Sequence, residues 1–196
     1  MLPKRLSVKF FTTSDIPMDK VVAVFQRWIQ RQAVEGLLID VADYHHVHNG
    51  PGVILIGDEG DYAIDLKDGR PGMLYMRKRQ MPDTLQDALN LAFRLNIAAS
   101  QLLKAESTLR KPETDFATAH ITLLDRLNTP NSPETFAALQ TEITAFANAL
   151  YAGDTVTVDR VQTNPREPLT IQIKTSGAMD AAALLERLNS SEIVTN

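Results

Sequence analysis

The stretch "LLIDVADYHHVHNGPGVILIGDEGDYAIDLKDGRPGMLYMRK", residues 37–78, decides the fold class. Its runs LLIDVADYHHV, GVILIG, DYAIDL and GMLYMRK are rich in β-branched, aliphatic and aromatic residues, and HNGPG, GDEG and KDGRPG separate them. Each separator joins Gly to Pro, Asn or Asp, the residues that supply positive φ or preset a turn. Seven of the nine glycines fall between Gly36 and Gly72. Connections this short pair neighbouring strands antiparallel, so the stretch reads as a four-stranded meander.

Working outward, residues 6–12 read as a first strand, and Val21, Val22, Val24, Phe25, Trp28 and Ile29 recur at helical spacing after Pro17. Beyond the meander, Asp83 reads as an N-cap for a stripe through Leu85, Leu89, Ala92 and Phe93, and a helix of about 25 residues or more is expected. AHITLLDRL then reads as a strand. Ser132-Pro133-Glu134 opens a helix striped by Phe136, Leu139, Ile143, Phe146 and Leu150 and stopped at Gly153. DTVTVDRV and PLTIQIKT alternate as strands, MDAAALLERL closes as a helix, and the last few residues are expected to fray.

Strand, helix, strand, strand thus occurs over residues 6–66 and again over 119–175, as an internal repeat of element order with little residue identity. The expected fold is α+β: two β-α-β-β units with mostly antiparallel sheet and helices packed on one side, linked by a long helix. The expected division is 1–82 for the first unit, 83–112 for the linking helix and 113–196 for the second unit, in one compact body or two apposed halves.

Composition excludes several function classes. With 44% apolar and 22% charged residues, the chain is that of a folded globular protein. A net charge of −4 offers no basic excess for phosphate neutralisation, which argues against a nucleic-acid partner. There is no cysteine, hence no disulfide, thiolate ligand or thiol nucleophile. No apolar run reaches the ~18 residues of a membrane span, so no membrane insertion is expected. MLPKRLSVKFFTT lacks the apolar segment and cleavage site of a secretory leader, and the expected location is the cytoplasm.

Candidate chemistry concentrates in the meander. If Gly50 and Pro51 are the two central turn residues, His48 lies opposite Val53, His46 opposite Leu55 and Tyr44 opposite Gly57, with the three on one strand face. His46 and His48 then present two imidazoles to a metal, completed by Asp58, or by Glu59 or Asp61. The same face, extended to Tyr44, His46, Tyr62, Tyr75 and Arg77, makes an aromatic and cationic surface for a small acidic ligand. GPG and GDEG precede strands rather than helices, which discounts a phosphate loop. Neither Gly-x-Ser-x-Gly nor His-Glu-x-x-His occurs, and His120 in its strand reads as packed or hydrogen-bonded.

HNGPGV, DGRPG and YMRK together resemble a family of uncharacterised bacterial proteins that share a Gly-Pro-Gly-Val hairpin, a Gly-Arg-Pro-Gly turn and a Tyr-x-Arg-Lys strand. The resemblance covers residues 38–79 and implies a bacterial cytoplasmic protein, with no activity, cofactor or site residue attached. The leading expectation is a non-catalytic binding or regulatory protein for a small acidic ligand or a protein partner. The alternatives are a metal-dependent enzyme using His46 and His48, and a structural homo-oligomer joined through the helix that starts at Asp83.

Overall fold

A computed structural model describes residues 2–177 and 179–192. Its elements are β1 (Leu6–Thr12), α1 (Met18–Arg31), β2 (Leu38–Tyr44), β3 (Gly52–Gly57), β4 (Gly60–Asp65) and β5 (Gly72–Arg77), then α2 (Leu85–Ala105), β6 (Thr114–Leu123), α3 (Pro133–Leu150), β7 (Val156–Arg160), β8 (Leu169–Thr175) and α4 (Ala181–Glu192). The fraying expected at the last few residues lies outside the described residues.

All eight strands join one sheet in the order β2-β3-β4-β5-β1-β6-β8-β7, and neighbours pair antiparallel throughout. The meander β2 to β5 occupies one side in sequence order, as its turns require. β1 and β6 meet at the centre, with Val8 opposite Ile121 and Leu6 opposite Leu123. From each central strand a helix carries the chain to an edge, β1 through α1 to β2 and β6 through α3 to β7, and short connections return it inward. The first half inserts one extra hairpin, β4-β5, between its edge and its centre.

The fold is α+β, with the helices on one side of the sheet. One core runs the length of that side, without a break between the halves. Phe10 of β1 sits at its middle, its ring centroid 5.5 Å from Phe93 of α2 and 5.1 Å from Phe116 of β6, while Phe93 lies 4.8 Å from Phe146 of α3. Edge-to-face rings at these separations add to the burial energy.

α2 differs in detail from the sequence expectation. Its N-cap is Thr84, whose hydroxyl accepts the Asp87 N–H at 3.1 Å and donates to the Asp87 carboxylate at 2.6 Å. Asp83 is not the cap, because this reciprocal pair closes one residue later. The helix has 21 residues, and a 3-10 turn at Ser107–Leu109 followed by left-handed Arg110 and Lys111 stops it. Leu89 and Phe93 are wholly buried in the chain's own core, so the stripe expected to meet a second copy is already covered. Asn96, fully buried on the same helix, donates from its amide to the carbonyls of Val8 at 2.7 Å and Met73 at 3.0 Å, pinning α2 to β1 and β5.

Candidate functional site

Side chains alternate across a sheet. On β1, Leu6, Val8 and Phe10 face the helices, and Ser7, Lys9 and Phe11 face the other side. Among the described residues no helix covers that second face, yet its centre is inaccessible: Ser7 is 5% exposed, Lys9 6%, Phe11 3%, Asp61 7%, Ala63 4% and Asp65 4%. Ser7, Lys9, Asp61, Ala63 and Asp65 floor a groove of about 410 Å³.

The strand register arranges the floor in rows. One row runs Ile54, Ala63, Leu74, Lys9, His120 and Gln172 across β3, β4, β5, β1, β6 and β8. Beside it runs Asp61, Met76, Ser7, Thr122 and Thr170. Six strands at a spacing of about 4.8 Å make the groove roughly 24 Å long. Its surface is graded: aliphatic side chains with the carboxylates Asp61 and Asp65 over β3 to β5, and hydroxyl, amide, amine and imidazole groups over β1, β6 and β8.

One wall is the β7–β8 connection, contributing Val161, Gln162, Glu167 and Pro168. Buried Asn131, just before the cap of α3, holds it by donating to the carbonyls of Asn164 at 2.8 Å and Gln162 at 3.4 Å, and Arg160 in turn donates to Asn131 at 2.7 Å. Arg126 also donates to the Arg166 carbonyl. Pro51 and Lys67 line the opposite side.

The charges on the groove floor are each held by an opposite charge. Lys9 Nζ lies 2.6 Å from Asp65 and 3.2 Å from the Lys67 carbonyl, and Lys78 Nζ lies 2.7 Å from Asp61, which also accepts the Gly57 N–H at 3.1 Å. Gly72 makes the first pair possible. It lies between β1 and β4 on the floor, and a Cβ there would sit 2.9 Å from Lys9 Cε and 2.3 Å from the Phe10 carbonyl oxygen. At the same end, the Arg70 guanidinium stands 3.6 Å over the Phe11 ring, and Phe11 meets His120 edge-on at 4.7 Å. His120 Nε2 is 3.3 Å from Gln172 Oε1. Arg70 and Gly72 therefore shape the packing around Phe11 and Lys9 beside the groove.

The residues singled out from the sequence as metal ligands or ligand-binding surface fall elsewhere, apart from Asp61 on the groove floor. β2 ends at Tyr44, which pairs with Gly52 and not Gly57, and His45, His46 and His48 lie exposed in the connection. The seven-residue connection is closed by its own turns, the Val47 N–H donating to the Tyr44 carbonyl and the Gly50 N–H to that of Val47, so Gly50 and Pro51 are not a two-residue hairpin. Gly52, at φ +67°, admits no side chain, since a Cβ would lie 1.9 Å from the Ile64 carbonyl oxygen. The histidine with a carboxylate partner is His45: its backbone N–H and ring Nδ1 both contact Asp43 Oδ1, at 3.0 and 2.6 Å. The backbone bond, with help from the ring, holds the Asp43 carboxyl below its usual pKa.

Asp58 is at the far end of β3, about 20 Å away at the usual strand rise, and pairs with Arg79 at 2.6 Å. His46, His48 and Asp58 therefore do not converge, and among the described residues no three His, Cys, Asp or Glu side chains form a group able to hold a metal. Tyr62, Tyr75 and Arg77 do come together, but on the helix side. The tyrosine rings are 4.9 Å apart, and Arg77 donates to Glu59 at 2.8 Å and to the Gln80 carbonyl at 2.9 Å. Tyr62 donates to the Glu35 carbonyl at 2.9 Å, and burial raises the pKa of both phenols. Tyr44 and His46 do not join them, because Tyr44 lies on the opposite face at the sheet edge. Lys9 and Asn131 went unremarked, His120 read only as packed or hydrogen-bonded, and Asp65 only as one of four carboxylates, with Asp58, Glu59 and Asp61, that could form an acid and base pair, since nothing local in sequence links them.

Comparison with protein-family models, curated proteins and solved structures gives no match. Among the described residues no helix is long and apolar enough to cross a membrane.

Proposed function

We propose that this chain is a non-catalytic binding protein whose uncovered sheet face receives a small molecule with a largely apolar body. The observation that carries the reading is the buried floor of a face that no helix covers, set in a groove of about 410 Å³. That volume falls in the range of small-molecule sites, which combine apolar walls with a few convergent polar groups. Ile54, Ala63, Leu74 and Met76 supply the apolar part, and Ser7, Thr122 and Thr170 the polar part.

The test is titration with Nile red, a neutral apolar dye. The native protein is expected to bind it saturably at one site. Thr122→Trp, which fills the groove without entering the core, is expected to weaken binding by at least about tenfold at an unchanged melting temperature. Undiminished binding by that variant would remove the groove from the reading.

A further inference from the structure

Resting on the binding reading above, we infer that the buried Lys9–Asp65 pair is a charge filter, which makes the groove select uncharged amphiphiles, such as alcohols and amides, over carboxylates and ammonium ions. Both partners are nearly inaccessible, with Nζ 2.6 Å from Oδ2, so the cation at the groove floor already holds a carboxylate. The other floor carboxylate, Asp61, holds Lys78 at 2.7 Å. The rims add one charge of each sign, Lys67 and Glu167.

An incoming carboxylate that approached Lys9 would also meet Asp65, and an ammonium ion directed to Asp65 would meet Lys9. At the floor, away from the exposed Lys67 and Glu167 of the rims, either ion would lose hydration without gaining a new counter-charge, and an unpaired buried ion is costly. An uncharged head escapes that cost. Ser7 offers it a hydroxyl that both donates and accepts, and Thr122 and Thr170, whose hydroxyls bond each other at 3.1 Å, offer one donor hydrogen and further acceptor lone pairs, while the chain lies over Leu74, Met76 and Ile54. Gly72 makes the filter a property of the fold, since it leaves Lys9 a path across β5 to Asp65.

The experiment is displacement of Nile red by 1-decanol, decanoate and decylammonium, which share a chain and differ in head charge. The native protein is expected to prefer decanol to either ion by about tenfold or more. Asp65→Asn removes the carboxylate that Lys9 holds and keeps an acceptor beside it, so decanoate should gain at least about tenfold. Lys9→Met should favour decylammonium in the same way, and Lys9→Met with Asp65→Asn should return the neutral preference.

A native protein that prefers one of the ions overturns the inference while leaving the binding reading intact, and this arm needs no variant to fold. So does an Asp65→Asn protein of native circular dichroism that still ranks decanol first by the same margin. Failure of all three compounds to displace the dye, with dye binding unaffected by Thr122→Trp, overturns the groove reading and the filter together.

Discussion

On β1, Phe10 is buried under helices and Lys9, its neighbour in sequence, is buried on the face they leave open. The covered face excludes water by apolar contact with α2 and α3, through rings that interlock around Phe10. Its partner face excludes water from its centre by crowding polar and charged groups against one another, Lys9 on Asp65 and Arg70 on Phe11. The first mode maximises stability. The second sacrifices some, because a buried ion pair is commonly matched or bettered by apolar residues of the same size. Matched charges and hydroxyls on the open face therefore suit recognition better than they suit packing.

The contrast can be broken most forcefully on the covered side. Phe10→Ala should cost about 3–5 kcal/mol in urea unfolding, because the two aromatic rings that close on the vacated volume, Phe93 and Phe116, relax only in part. On the open side, Lys9→Met strands the buried Asp65 carboxylate and should cost about 3 kcal/mol, whereas Lys9→Met with Asp65→Leu should unfold within about 1 kcal/mol of the native protein. A double variant no more stable than the single one would show that the pair itself, and not its imbalance, holds the face together.

Gly72→Ala sharpens the comparison from the backbone side. The added Cβ would strike the Phe10 carbonyl and the Lys9 side chain together, and should cost about 2 kcal/mol by the same measure. The smallest effect belongs to Glu35, at the end of the covered face. The bidentate bond from Arg94, at 2.8 and 3.3 Å, holds its carboxyl below the ordinary 4.5. A depressed pKa contributes stability above the unfolded-state value, and that contribution is lost as pH falls through the folded-state value. Glu35→Gln should lower the unfolding free energy at pH 7 by under about 1 kcal/mol for a pair this exposed, and the difference should vanish in strong acid.

The motif-rich stretch was legible as architecture and misleading as chemistry. Its glycines and prolines mark the turns of the meander, and the strands follow. Its histidines drew attention as metal ligands, but their placement on a strand depended on the length of one turn. Asp43 and its bonds to His45, together with the Tyr44–Val47 and Val47–Gly50 turns, end β2 before those residues enter it. Tyr62, Tyr75 and Arg77 share one face, which pleat alternation and the strand register suffice to arrange. Which face lay under the helices was not legible, and it turned a suspected binding surface into core.

The amino-acid sequence alone determined the α+β class, the meander, the helix start at Ser132-Pro133 and the order of elements shared by the two halves, because turn chemistry, capping and periodicity act over a few residues. Only the tertiary structure decided that β1 and β6 meet at the centre of one sheet and that a single core continues beneath both halves. It alone placed Lys9 beside Asp65, 56 residues away, and His120 beside Phe11. Pairings between strands distant in the chain are chosen by the burial of whole faces. No local signal carries them, and the groove is made of little else.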